Sequence, residues 1–76
     1  MRKSEQEMAY LKQVGKRIVE AELDAGKTQR ATAMAIGKNG AALSNYERGK
    51  CSPSLMTIKR LAEVLDVSTD WLLGVE

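Results

Sequence analysis

I-G-K-N-G-A-A-L-S-N-Y-E-R-G, residues 36–49, sets three residues with almost no side chain, Gly40, Ala41 and Ala42, directly before a polar cluster, Ser44-Asn45-Tyr46-Glu47-Arg48. Asn39 precedes the run as a helix N-cap, because its side-chain oxygen can accept one of the amides a first turn leaves unpaired. The spacing predicts a short helix over Gly40 to Arg48, anchored by Leu43 and Tyr46, with Ala42 pointing inward and Gly49 ending it. A nearly bare outward surface beside hydrogen-bonding groups is the feature to explain.

Working towards the N-terminus, Thr28 is another cap, and Gln29 to Ile36 reads as a short helix with Thr32, Ala33 and Ile36 on its inner face. Gly37 ends it. Two helices joined so tightly cannot lie antiparallel and must cross steeply, as in a helix-turn-helix unit. Further upstream, Ser4-Glu5-Gln6-Glu7 has capping-box spacing. Met8, Leu11, Val14 (or Gly15), Ile18 and Ala21 recur at helical spacing as far as Ala25-Gly26, giving a first helix of about 20 residues; its first turn is the weakest part, and residues 1–7 are read as a segment that can be flexible. Downstream, Ser52-Pro53-Ser54 is a turn and a cap, and Leu55, Ile58, Leu61, Ala62 and Leu65 form the inner stripe of a fourth helix. Asp66-Val67-Ser68 breaks the pattern, and Thr69 to Leu73 forms a last turn or two before Gly74. No segment alternates as a strand would. The expected fold is all-α, a five-helix bundle in a single domain spanning 1–76.

The bulk numbers agree with one small domain. The chain has 76 residues, 43% of them hydrophobic, and no Phe, so Leu, Ile, Val, Met and Ala must build the core. Met8, Met34 and Met56 are read as gap-filling apolar residues. A single cysteine, Cys51, excludes an internal disulfide, fits a reducing cytoplasm and is read as an ordinary thiol. No apolar run approaches the roughly 20 residues a bilayer span needs, and no signal peptide is evident. The net charge of +2 hides an uneven distribution. Residues 27–50 carry Lys27, Arg30, Lys38, Arg48 and Lys50 against Glu47 alone, a net +4, while residues 1–26 balance and residues 51–76 come to −2. Positive charge concentrated around the quoted stretch suits a polyanion. With no His, one Cys, no phosphate-binding glycine loop and no metal-ligand spacing, the sequence offers no catalytic residue, metal set or cofactor site.

Taken together, G-K-R-I at 15–18, G-K-T-Q at 26–29, L-S-N-Y-E-R-G-K at 43–50, P-S-L at 53–55 and L-A-E-V-L-D-V-S-T-D-W-L-L-G at 61–74 resemble the Cro/repressor-type (XRE) helix-turn-helix regulators of phages and bacteria, across residues 14–74. The resemblance implies a lambda-repressor-like DNA-binding domain whose recognition helix is Asn39 to Arg48. It implies phosphate contacts from Gln29, Arg48 and Lys50, a structural ion pair between Arg17 and Glu47 with Arg17 also able to reach a phosphate, and a dimer seam at Trp71, Leu72 and Leu73. The chain departs from the family at Gly40, Ala41 and Ala42, where Gln, Ser or Thr are common, at Thr32 and Ala21, where Leu is usual, at Lys27, where an apolar residue is usual, and at Asp66, where Gly or Asn is common and an aspartate should strain a left-handed turn by about 1 kcal/mol.

The departures answer the opening question. Gly40 and Ala41 cannot hydrogen-bond a base, but they let a helix approach the groove floor, and Ala41 can touch a thymine methyl. Reading then falls to Asn45 and Ser44, helped by Lys38 and Asn39, and supplemented by DNA shape. The expected function is a sequence-specific transcriptional regulator, a repressor, acting on double-stranded DNA as a homodimer at a roughly palindromic operator in the bacterial cytoplasm. No cofactor, membrane or small-molecule ligand is expected. The alternative is a protein-interaction module, antitoxin-like, that docks a partner helix on the bare strip.

Overall fold

In the computed structural model, which describes residues 4–75, helices form wherever the sequence supplies a cap followed by an apolar stripe. They are α1 (Glu5–Ala25), α2 (Gln29–Ala35), α3 (Gly40–Glu47), α4 (Leu55–Leu65) and α5 (Thr69–Leu73), with no strand among the described residues. The side chains of Ser4, Thr28, Asn39, Ser54 and Ser68 each accept the amide three residues on. Each such cap satisfies a donor the helix cannot pair itself, typically worth about 1 kcal/mol. The predicted boundaries hold to within a residue. Residues 5–7, read as able to be flexible, belong to α1, while residues 1–3 lie outside the described ones.

The turn between α2 and α3 is built by local bonds. The Lys38 amide donates to the Ala33 carbonyl at 2.9 Å and the Gly37 amide to Met34 at 3.2 Å. This closure requires a left-handed residue at position 37, where φ is 71°. Asp66 closes α4 in the same conformation, φ 56°, without glycine's freedom, so the strain expected there is present.

One core joins the five helices. Ile18, Ile36, Leu43, Leu61 and Leu72 are its largest fully buried apolar side chains, and they come from α1, the end of α2, α3, α4 and α5. Burying each contributes about 1.5–3 kcal/mol. The last turn of α3 lies directly on the backbone of α1. A Cβ at Gly15 would collide with the Tyr46 and Glu47 carbonyls, and one at Gly49 would come within 2.7 Å of the Lys12 amide. From the other side, Arg60 of α4 donates to the Ile36 carbonyl at the end of α2, at 3.4 Å.

Several side chains lie elsewhere than predicted. Leu55 is 88% exposed, because it is the first residue of α4 and the inner stripe begins only at Thr57 and Ile58. Met8, Met34 and Met56 are exposed rather than filling gaps, the core being closed already by branched aliphatics. Ala42 is half-buried, not core, and Gly15 is buried alongside Val14. No helix of the described residues is long and apolar enough to cross a membrane.

Candidate nucleic-acid interface

Packing decides which face of α3 is available. Leu43 is buried and Tyr46 packs against the core, so the opposite face turns outward. Gly40, Ala41, Asn45 and Arg48 are exposed and Ser44 is half-buried. Ala41, Asn45 and Arg48 follow one another at helical spacings of four and three, so they form a single ridge. A Cβ added at Gly40 would meet nothing within 4 Å, so the start of this face opens onto solvent. Asn39 uses its side-chain oxygen to accept the Ala42 amide at 2.8 Å, which fixes the first turn of α3 and leaves its NH2 group as the part able to reach a ligand.

Cations frame the ridge. Lys38 precedes it, Lys50 follows it, and Lys27 and Arg30 lie at and near the start of α2; all are exposed. The one acid of residues 27–50, Glu47, is turned inward, where its Oε1 accepts Gln29 Nε2 at 2.7 Å. The exposed charge of this segment is therefore more positive than its formal +4. Gln29, exposed as the first residue of α2, is braced by that bond to the last residue of α3.

The Arg17–Glu47 ion pair does not form. Arg17 points at α5, its Nη1 donating to the Trp71 carbonyl at 2.8 Å and its guanidinium lying 5.3 Å from the centre of the Trp71 ring. Arg17 therefore lies beside Trp71 rather than beside Glu47, its expected partner. The α1 residue that meets Glu47 is Glu22, one helical turn beyond Ile18 and 5% exposed. Its carboxyl is pushed up to about 7, first by burial and then by the hydrogen bond and charge of Glu47, with the Thr32 hydroxyl acting weakly in the opposite sense. That hydroxyl has one proton, already placed on the Thr28 carbonyl at 3.0 Å. The sequence reading missed Glu22, although an acid on the inner stripe of an amphipathic helix was the signal.

The terminal segment divides. Leu72 is fully buried in its own chain and cannot contribute to a seam between copies, whereas Trp71 and Leu73 are half-buried and Val75 is exposed. Tyr10 fastens this end by donating its hydroxyl to the Leu73 carbonyl at 2.7 Å.

Known proteins share this fold. The family described as Helix-turn-helix matches residues 11–72, which include all of α2 to α4. The HTH-type transcriptional regulator ImmR of Bacillus subtilis is 46% identical over 63 residues, covering 80% of this chain and 48% of that protein. The chain spans about half the length of the curated relatives it matches. Among solved structures, the restriction-modification controller protein C.AhdI of Aeromonas hydrophila superposes with a TM-score of 0.79 at 31% identity, over 84% of this chain and 97% of that one. The P22 c2 repressor, solved in complex with a synthetic operator, superposes with a TM-score of 0.76 at 27% identity, over 83% and 96%. With its fold, its cap-turn-cap unit and these matches in agreement, the chain belongs to the Cro/repressor-type (XRE) helix-turn-helix family.

Proposed function

We propose that this protein regulates transcription, as a repressor, by laying α3 along the major groove of a DNA duplex. The observation that carries the reading is the α3 ridge, an exposed strip almost without side chains at its start, polar in its middle and bordered by cations. A groove about 12 Å wide admits one helix, and Gly40 and Ala41 let the helix axis come close to the base edges. Asn45 is the base reader, able to bond adenine through two atoms at once, a contact worth about 1–3 kcal/mol of discrimination. Ser44 and the Asn39 amide assist it, and Ala41 meets a methyl group. Arg48, Lys50, Lys38 and Gln29 contact phosphates, which position the helix without reading sequence. Arg17 is left out of this set, since it holds α5.

A second copy completes the unit. Trp71, Leu73 and Val75 offer apolar surface at the end of the chain, and two copies related by a two-fold axis would present recognition helices about 34 Å apart, matching one turn of a palindromic operator. Titrating a selected duplex with two variants separates the roles. Asn45→Ala should relax preference at one base pair of each half-site, whereas Arg48→Ala should weaken all duplexes alike and lower the salt dependence by about one counterion per site. If Arg48→Ala changed preference and Asn45→Ala did not, the assignment of the ridge would be wrong.

A further inference from the structure

Between α1 and α3 two acids face each other, with one carboxyl oxygen of each shielded from water. Glu22 Oε2 and Glu47 Oε2 are both buried, and with both groups ionised neither has a hydrogen-bond partner, since two carboxylates can only accept. Two ionised carboxylates cannot rest there cheaply, since each would be an unpaired buried charge beside a like charge. A single proton changes the account. Placed on Glu22, it makes an O–H donor for Glu47, and both orphaned oxygens are satisfied by one short bond. We propose that Glu22 and Glu47 hold one proton between them, and that this shared proton seats the end of α3 and fixes Gln29 for its contact with the DNA backbone.

The route to Gln29 is direct, because the other oxygen of Glu47 accepts the Gln29 amide at 2.7 Å. The charged group facing Glu22 is Glu47, from α3; α2 contributes Thr32 and Gln29, which do not titrate, and no lysine or arginine of α1, α4 or α5 stands among the groups acting on Glu22. The raised Glu22 carboxyl, near 7, places loss of the proton close to neutral pH. Once it leaves, repulsion falls on the last residue of α3, whose carbonyl lies so near Gly15 that even a Cβ would not fit between them. Moving the Glu47 side chain relieves the repulsion, and that movement releases Gln29. Glu22 is thus a positioning residue that reaches no ligand itself and acts through Glu47. The role given to Gln29 rests on the DNA reading above; the proton sharing does not.

The test is made without DNA, on the full chain, by nuclear magnetic resonance from pH 5.5 to 8.5. The Gln29 side-chain amide signals should shift with pH, following the carbon signal of the Glu22 carboxyl through a common midpoint near neutrality. In Glu22→Gln, which keeps a neutral donor opposite Glu47, the Gln29 signals should stay at their acid-side position throughout. Gln29 signals that do not move in the wild type, or that move equally in the variant, would overturn the proposal. If the variant fails to fold, the wild-type Glu22 carbon signal decides alone, and a signal that stays at its fully ionised position from pH 5.5 upwards, as an ordinary carboxylate would, overturns it. A chain with the expected titration but no affinity for any duplex would remove the DNA reading and leave the shared proton standing.

Discussion

Gly15 and Gly40 are the same residue in the same kind of helix, and their surroundings give them opposite consequences. Alanine is intrinsically the better helix former by up to about 1 kcal/mol. At Gly40 nothing opposes that gain, so Gly40→Ala should leave the unfolding midpoint unchanged or slightly raised while weakening DNA binding by holding α3 off the groove. At Gly15 a methyl group would strike the carbonyls of Tyr46 and Glu47, so Gly15→Ala should destabilise by about 1–3 kcal/mol in urea unfolding. Glu22 adds a pH dependence. Its folded carboxyl lies near 7 against 4.5 for an ordinary one, so the folded state keeps a proton the unfolded chain loses earlier. Its contribution is full below about pH 4.5, falls between 4.5 and 7, and levels off above, with a total loss on the order of 3 kcal/mol. Urea unfolding of Glu22→Gln across the same range should lack this component, and the difference between the two curves isolates it from the other carboxylates.

At the scale of the element, what is local was legible. A serine, threonine or asparagine before each apolar stripe marks its start, and Gly26, Gly37, Gly49 and Gly74 mark ends, because caps and left-handed closures are decided by a few neighbouring residues. What depends on rotation about a helix axis was less legible. Arg17 and Glu22 are both charged residues on α1, and only the packed structure shows that Arg17 turns to α5 and Glu22 to α3. Periodicity does distinguish them once Ile18 is taken as the centre of the buried face, since Glu22 lies four residues on and Arg17 is adjacent. The corrected role of Arg17 makes a separate prediction. Arg17→Ala removes a charged hydrogen bond and a ring contact from α5, so amides of α5 should exchange with solvent about 5- to 30-fold faster, equivalent to about 1–2 kcal/mol. Exchange in α2 and α3 should change little.

For the whole molecule, the division of labour follows from where charge and burial fall. The cations lie in the segment that forms α2, the turn and α3, and the acid there faces inward, so the helix-turn-helix carries a positive surface although the chain is close to neutral overall. This surface was visible in the sequence as a block of basic residues, and the outward face of α3 as the positions left over once Leu43 was assigned to the core. The terminal seam was only half legible. Trp71-Leu72-Leu73 is uniformly apolar, and on so short a helix no pattern tells which residue faces the chain's own core; the structure assigns Leu72 to it. The central claim is that the α3 ridge reads double-stranded DNA, and selection of bound duplexes from a randomised pool tests it most directly. Enrichment of a two-fold symmetric sequence with half-sites one helical turn apart, lost on raising the salt and altered at one position per half-site by Asn45→Ala, is the result expected. A pool that emerges unenriched from low-salt selection with the folded chain would contradict it.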